Sequence, residues 1–190
     1  MKASLLPLAA LALAVAGCSG KSDDAAAGAT ATATSMADSA TPAASGTAAA
    51  ADSNAAMFLT DAMKRDNSEV RVAKLAAEKG STKGVRDFAT MLATDHGAHL
   101  DKVKAAAGSL GVPVTTETKP DADELHAKLQ GMSGADFDKT FVAAMIANHK
   151  KGIANNEKEA ASSDPAAVVD LARASVPTLK HHLEVAESLQ

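Results

Sequence analysis

The chain has 190 residues, with 23 acidic side chains, 19 basic side chains and a formal net charge of −4. A mildly acidic sequence without a basic cluster lacks the electrostatic pattern of a DNA- or RNA-binding protein, so no nucleic-acid partner is expected. Its single cysteine, Cys18, cannot form a disulfide within the chain.

Residues 1–17 have the pattern of a lipoprotein signal peptide. Lys2 gives a positive start, and an apolar run over residues 5–15 is too short to span a bilayer as a helix. The following Cys18 is placed as in a lipobox, where cleavage precedes a cysteine that is then lipidated. We therefore predict export and attachment to the membrane through a lipid on Cys18; a free thiol is the alternative. Ser19, rather than Asp, at the next position favours the outer membrane, facing the periplasm.

Residues 18–54 are predicted to be a lipidated cysteine followed by a disordered tether. Beyond Cys18 this segment consists almost entirely of Ala, Thr, Ser, Gly and Asp. Such a composition cannot bury enough apolar surface to offset the entropy of the chain. The tether would let a domain move away from the membrane surface, and nothing in it indicates a protein partner.

Residues 55–190 are predicted to form one all-α domain, because their apolar residues recur with helical spacing. The predicted helices cover residues 55–79, 82–110, 122–129, 135–161 and 165–189. Gly80 ends the first helix, with Ser81 as the next N-cap, and Asp164 is the predicted N-cap of the last. Pro177 should kink that last helix. Two helical hairpins joined by a long connection indicate a ferritin-like four-helix bundle with a long crossover that contains a short helix; a simple up-down-up-down bundle is the alternative.

The predicted core is interrupted by polar side chains on each long helix. The second helix has a strict four-three stripe, as in a bundle seam: Val85, Ala89, Leu92, His96, His99, Val103, Ala106 and Leu110. The other helices contribute Glu69, His149 and His182 to their own inward stripes. At about 1.5 Å rise per residue, Glu69, His96 and His149 reach a similar height, with His99 and His182 about one turn away on either side.

Imidazole and carboxylate donors suit Cu, Zn, Fe or Ni, so we predict a transition-metal site. It is drawn from Glu69, His96, His99, His149 and His182. Binding should weaken as pH falls through the histidine range, because protons compete for the ligands. The alternative is a polar core in which these side chains only hydrogen-bond to one another.

A di-iron centre of the ferritin type is not expected. Such a centre needs two Glu-x-x-His motifs, and the positions three before His96, His149 and His182 hold Ala93, Ile146 and Leu179. The sequence also has no nucleophile arrangement in the domain and no phosphate-binding glycine loop, so no catalytic residue is predicted and a binding role is favoured over enzymatic activity.

The chain resembles a bacterial family called domain of unknown function 4142, described as ferritin-like and as outer-membrane or secreted. The residues that carry the resemblance include Glu69, Asp95-His96, His149 and His182-Leu183. The resemblance spans almost all of residues 55–190; it implies a ferritin-like bundle and no established activity. A related group of envelope proteins, with a Met and His pattern similar to Met145 and His149, includes copper binders, which makes metal handling the first hypothesis by analogy.

Three functions follow from these observations. The first is binding or buffering of Cu, Zn or Fe in the bundle core of an envelope lipoprotein. The second is a structural or envelope-stress interaction module without a metal. The third is a redox enzyme with a non-standard metal centre.

Overall fold

The computed structural model describes residues 52–190, and these residues form five helices and no strand. The helices are α1 (Ser53–Lys79), α2 (Lys83–Ser109), α3 (Pro120–Gln130), α4 (Gly134–Ala160) and α5 (Ala166–Ser188). The predicted signal peptide, Cys18 and nearly all of the predicted tether lie outside the described residues. None of the described helices is both long enough and apolar enough to cross a membrane.

The long helices pack as two hairpins, α1 with α2 and α4 with α5. The connection between the hairpins follows α1 along its length. Asn67 donates hydrogen bonds to the carbonyl oxygens of Thr115 and Glu117, both at 3.2 Å. Further along, Lys79 donates to the carbonyl of Leu129 at 3.2 Å. The crossover therefore returns the chain to the end of the bundle where α2 begins, which confirms the ferritin-like arrangement.

Asp138, in the first turns of α4, fixes the α1–α2 turn beside it. Its carboxylate accepts hydrogen bonds from the backbone N–H of Ser81 at 2.8 Å and of Thr82 at 3.1 Å. Both hydroxyls of these residues also donate to it, at 2.6 Å and 3.1 Å. The first helix ends where expected, at Gly80, because a Cβ there would lie only 2.8 Å from the carbonyl oxygen of Ala76.

The apolar core consists of two separate clusters. One, near the α1–α2 turn, contains Phe88, Phe137 and Phe141; the other, near the start of α1, contains Leu59 and Val103. Buried polar side chains lie on all four long helices, at positions between the residues of these clusters. The bundle thus holds a polar layer at mid-height, between two apolar layers.

Some local predictions need correction. The N-cap of α2 is Thr82, not Ser81, and that of α5 is Pro165, not Asp164. Asp138 accepts hydrogen bonds from both Ser81 and Thr82, and Thr82 is the cap because its hydroxyl accepts the N–H of Val85. The last helix runs through Pro177 without a break, and the kink expected there stays a prediction.

The buried face of α2 also departs from the predicted stripe beyond His96. The residues buried there are Leu100, Val103 and Ala107. The four-three repeat is broken there, since four residues separate Leu92 from His96 and four more separate His96 from Leu100. His99 lies at the edge of the core rather than in it.

Candidate metal centre

Four side chains, one from each long helix, meet in the polar layer. Glu69 on α1, His96 on α2, His149 on α4 and His182 on α5 are each at most 3 % exposed. One nitrogen from each of the three histidines can be chosen so that all three lie within 4.8 Å of one another. Three imidazoles and a carboxylate are therefore brought to one point, although they are far apart in the sequence.

One of the three donor distances matches the spacing of metal ligands, and the other two lie on either side of it. His149 Nε2 lies 3.2 Å from His182 Nδ1, and Glu69 Oε2 lies 3.9 Å from His149 Nε2. Glu69 Oε2 is 2.5 Å from His96 Nε2. With metal–nitrogen bonds of about 2.0–2.1 Å, neighbouring ligands of a tetrahedral ion are about 3.3 Å apart, which lies within this range of distances.

The second nitrogen of each histidine is held by an acceptor outside the centre. His96 Nδ1 faces Asp66 Oδ1 at 3.0 Å, His149 Nδ1 faces the carbonyl oxygen of Met145 at 2.8 Å, and His182 Nε2 faces Asp95 Oδ2 at 2.9 Å. A carbonyl or carboxylate accepts an N–H, so each contact fixes the proton on the outer nitrogen. Metal-binding histidines are oriented in this way by their outer partners.

This proton placement turns two lone pairs toward each other. With their outer nitrogens protonated, His149 Nε2 and His182 Nδ1 are both acceptors, yet they lie 3.2 Å apart in a buried site. Two buried acceptors at this distance repel unless a proton or a metal ion lies between them. Nearby, Glu69 Oε2 and His96 Nε2 are also buried and, within residues 52–190, have no aligned hydrogen-bond partner. The donor set is therefore suited to a cation.

The charges of the site agree with this assignment for His149 and His182, whereas His96 would have to release a proton to bind a metal. Burial opposes the ionisation of Glu69, but the charge of His96 above all holds its pKa at about 2. Burial would likewise lower the pKa of His96, but Glu69 and Asp66 raise it to about 10. Burial lowers the pKa of His149, and it lowers that of His182 to about 4. Near neutral pH these last two are neutral imidazoles, the form that binds metals.

His99, predicted from the sequence as a ligand, lies outside the centre. Its Nδ1 is 2.7 Å from Asp66 Oδ2 and its Nε2 is 2.8 Å from Ser175 Oγ. His96 and His99 lie on the same side of α2 and share the carboxylate of Asp66, whose two oxygens face their Nδ1 atoms. His99 instead links α1, α2 and α5 through Asp66 and Ser175.

Two other placements differ from the sequence-based estimate. His182, expected about one turn away from the centre, is part of it, since its ring centroid lies 5.2 Å from that of His149. Asp66 and Asp95, which orient His96 and His182, were not predicted as site residues. Their positions in the sequence indicate a possible role beside the ligands, because Asp66 lies one turn before Glu69 and Asp95 is adjacent to His96. The sequence does not show which of many such carboxylates faces a histidine.

The fold and the site define a helical-bundle protein with a buried centre of three histidines and a glutamate. The chain belongs to the family described as domain of unknown function (DUF4142), whose model matches residues 39–189. No curated protein matches the chain. A crystal structure of a DUF305 fragment from Deinococcus radiodurans is similar, with a TM-score of 0.66, 18% sequence identity, and coverage of 74% of this chain and 97% of that one. At this identity the likeness concerns the fold alone.

Proposed function

We propose that this domain binds one transition-metal ion per chain, of the Cu, Zn or Fe class, in the core of its bundle. Glu69, His96, His149 and His182 would hold the ion, and the metal would supply the positive charge that the facing nitrogens of His149 and His182 require. That 3.2 Å contact between two buried acceptors is the observation on which the proposal rests. Imidazole with one carboxylate is a donor set that these metals favour.

Metal analysis of protein purified without an affinity tag tests the proposal. We expect a stoichiometric metal, or saturable uptake of Cu²⁺, Zn²⁺ or Fe²⁺ by the metal-free protein. Ligand at 100 times its Kd stabilises the folded state by about 2.7 kcal/mol, so the melting temperature should rise by about 5–10 °C. If no metal copurifies and none of the three ions changes the melting temperature, the proposal is wrong.

A matched pair of variants separates the site from the surface. His149→Ala should abolish both metal uptake and the thermal shift, because it removes one of the two facing acceptors. His181→Ala changes an exposed histidine next to His182 and should leave both unchanged. Equal metal binding by the two variants would locate the metal elsewhere.

A non-metal role is the second candidate, and a specific contact favours it. His96 lies between two carboxylates, with Asp66 Oδ1 at 3.0 Å and Glu69 Oε2 at 2.5 Å. A protonated His96 would compensate both charges, so the layer could serve a structural or envelope-stress interaction module. The metal analysis distinguishes this role from metal binding. A redox enzyme with a non-standard centre would be indicated by activity toward peroxide or ferrous iron that His96→Ala eliminates.

We also propose that the domain acts in the cell envelope, as a lipoprotein tethered to the outer membrane and facing the periplasm. The support is the sequence pattern around Cys18, which lies outside the described residues. Growth with a labelled fatty acid should label the wild-type protein and not Cys18→Ala. Absence of label from the wild type, or label retained by the variant, would contradict the proposal.

A further inference from the structure

A cavity of about 200 Å³ lies between α2 and α5 and reaches the candidate metal centre from one side. Its wall includes the ligand residues His96 and His182 but not Glu69 or His149. His96 and His182 therefore border this space, whereas Glu69 lines a second cavity that also includes Gly152 of α4. The cavity is smaller than the pockets of about 300–1,000 Å³ that take drug-sized ligands, so it suits a molecule of a few atoms.

The cavity opens to solvent where α2 and α5 carry small side chains. Ala98 and Ala174 both line it and both are exposed. The residues at its inner end, His96 and His182, are at most 3 % exposed. The helices α2 and α5 also contact each other much less than the helices within each hairpin do. The geometry thus gives a passage from the surface to two of the ligand residues.

The cavity wall carries two carboxylates and two cationic side chains, and these differ in their partners. Both of its carboxylates are engaged by histidines, since Asp66 faces His96 and His99, and Asp95 faces His182. Its two cationic side chains, Arg65 and Lys102, form no ion pair with any carboxylate in residues 52–190 (the salt bridges there involve other residues).

Arg65 lines both this cavity and the second cavity beside Glu69 and Gly152, and it offers a buried donor. The residue is only 9 % exposed, and its Nε, within the described part of the chain, has no hydrogen-bond partner. Arginine holds its charge at all ordinary pH values and presents N–H groups in a fixed geometry. A buried donor of this kind without an acceptor is expensive to maintain unless a ligand supplies one.

We propose that the α2–α5 cavity binds a small inorganic anion, which approaches the metal beside His96 and His182 and is held by Arg65. This proposal rests on the proposed metal site and names the class of ligand that would act there. Ala98 and Ala174 keep the entrance open, and Lys102 adds a positive charge to the cavity wall.

Azide binding to the copper-loaded full chain tests this proposal. Cu²⁺ heads the affinity order of the divalent ions for nitrogen and oxygen sites, so it should load the centre. Azide, added at constant ionic strength, should produce a saturable azide-to-copper charge-transfer band and change the electron paramagnetic resonance spectrum. Copper stoichiometry and helical content are measured on every sample.

Three variants locate the azide. The double variant Ala98→Leu plus Ala174→Leu should raise the Kd of azide at least tenfold by filling the entrance. Arg65→Met should raise it by a similar factor, whereas Arg65→Lys should restore part of the affinity. Ala154→Leu, an exposed alanine of α4 that does not line the cavity, should leave the Kd unchanged. All variants should still bind one copper.

The outcomes separate the two proposals. If the wild type binds no copper, both are wrong. If it binds copper but azide leaves the spectra unchanged, the metal site stands and the anion site is wrong. If azide binds the wild type and the cavity variants equally well, the anion reaches the metal by another route, and the assignment to this cavity is overturned.

Discussion

Replacing Asp66 by asparagine tests whether the carboxylate behind His96 tunes the proposed metal centre. Asp66 is fully buried, at 0 % exposed. One of its oxygens faces His96 Nδ1 at 3.0 Å and the other faces His99 Nδ1 at 2.7 Å. Asparagine has nearly the same shape but only one oxygen, so one of the two N–H groups must face an amide NH₂ instead. His96 then loses its orientation, its basicity, or both.

The size of the effect follows from these contacts. Loss of an outer partner of a metal-bound histidine typically costs 10–100-fold in metal affinity, or about 1.4–2.8 kcal/mol. We expect Asp66→Asn to fall in the upper half of this range, because Asp66 is fully buried and one carboxylate faces two histidines. Asp95→Asn should fall in the lower half, because the Asp95 side chain is 41 % exposed and water can substitute for it.

The assay is a competition titration of Cu²⁺ and Zn²⁺ against a chromophoric chelator at neutral pH. Asp87→Asn is the matched control, since Asp87 is an exposed carboxylate of α2 that pairs with Lys83 at 2.5 Å. Exposed pairs of this kind are worth about 0–1 kcal/mol, and this one is far from the centre, so its loss should not change the Kd. Circular dichroism verifies that each variant is folded.

Two results would contradict the predicted role of Asp66. If folded Asp66→Asn binds both metals as tightly as the wild type, Asp66 does not orient a ligand, and His96 is held by other contacts. If Asp87→Asn weakens binding as much as Asp66→Asn does, the effect is general electrostatics rather than the hydrogen bond to His96.

Two further predictions concern stability. Phe141 is fully buried, so Phe141→Ala should lower the free energy of unfolding, measured in urea, by about 3–5 kcal/mol. Met57→Ala, at an exposed site, should change it by less than about 0.5 kcal/mol. Equal effects of the two substitutions would contradict the assigned core. Asp138→Ala should cost about 1–3 kcal/mol at pH 7, because it leaves the N–H groups of Ser81 and Thr82 without an acceptor. Burial opposes ionisation of Asp138, but these donors lower its pKa below the usual 3.8. The stabilisation by Asp138 is therefore complete above that value and is lost as pH falls through the folded-state pKa. The difference in unfolding free energy between wild type and variant should disappear in acid. A difference independent of pH would contradict this prediction.

Helix order and turns could be predicted from the sequence because their signals are local. On α4, the predicted stripe that contains Phe137, Met145 and His149 is the buried face of the helix in the structure. Gly80 ends α1 as predicted, since a side chain there would collide with the preceding turn. The length of the 110–133 connection was enough to distinguish a crossover from a tight turn, and the structure confirms this choice.

The prediction from the sequence was wrong where a shift of one residue along a helix changes which side chain is buried. A strict four-three repeat predicted that His99 is in the core, whereas in the structure Leu100 is buried instead. The same uncertainty applied to height: straight-helix arithmetic put His182 about a turn from the centre, and a shift of one turn, about 5.4 Å, decides whether an imidazole reaches it. The cap of α2 was similarly misassigned by one residue, since Ser81 and Thr82 are both suitable by type and only the structure shows that Thr82 accepts the N–H of Val85.

The sequence by itself determined the family, the all-α fold and the presence of a metal-competent side chain on each long helix, because these depend on periodicity and residue type. The tertiary structure alone decided which of these side chains share a point. It placed Glu69, His96, His149 and His182 together and His99 outside, and it aligned Asp66 and Asp95 behind their histidines. The physical reason is that a site built from four helices depends on their relative rotation and height, which are set by packing across the whole core rather than by any local segment.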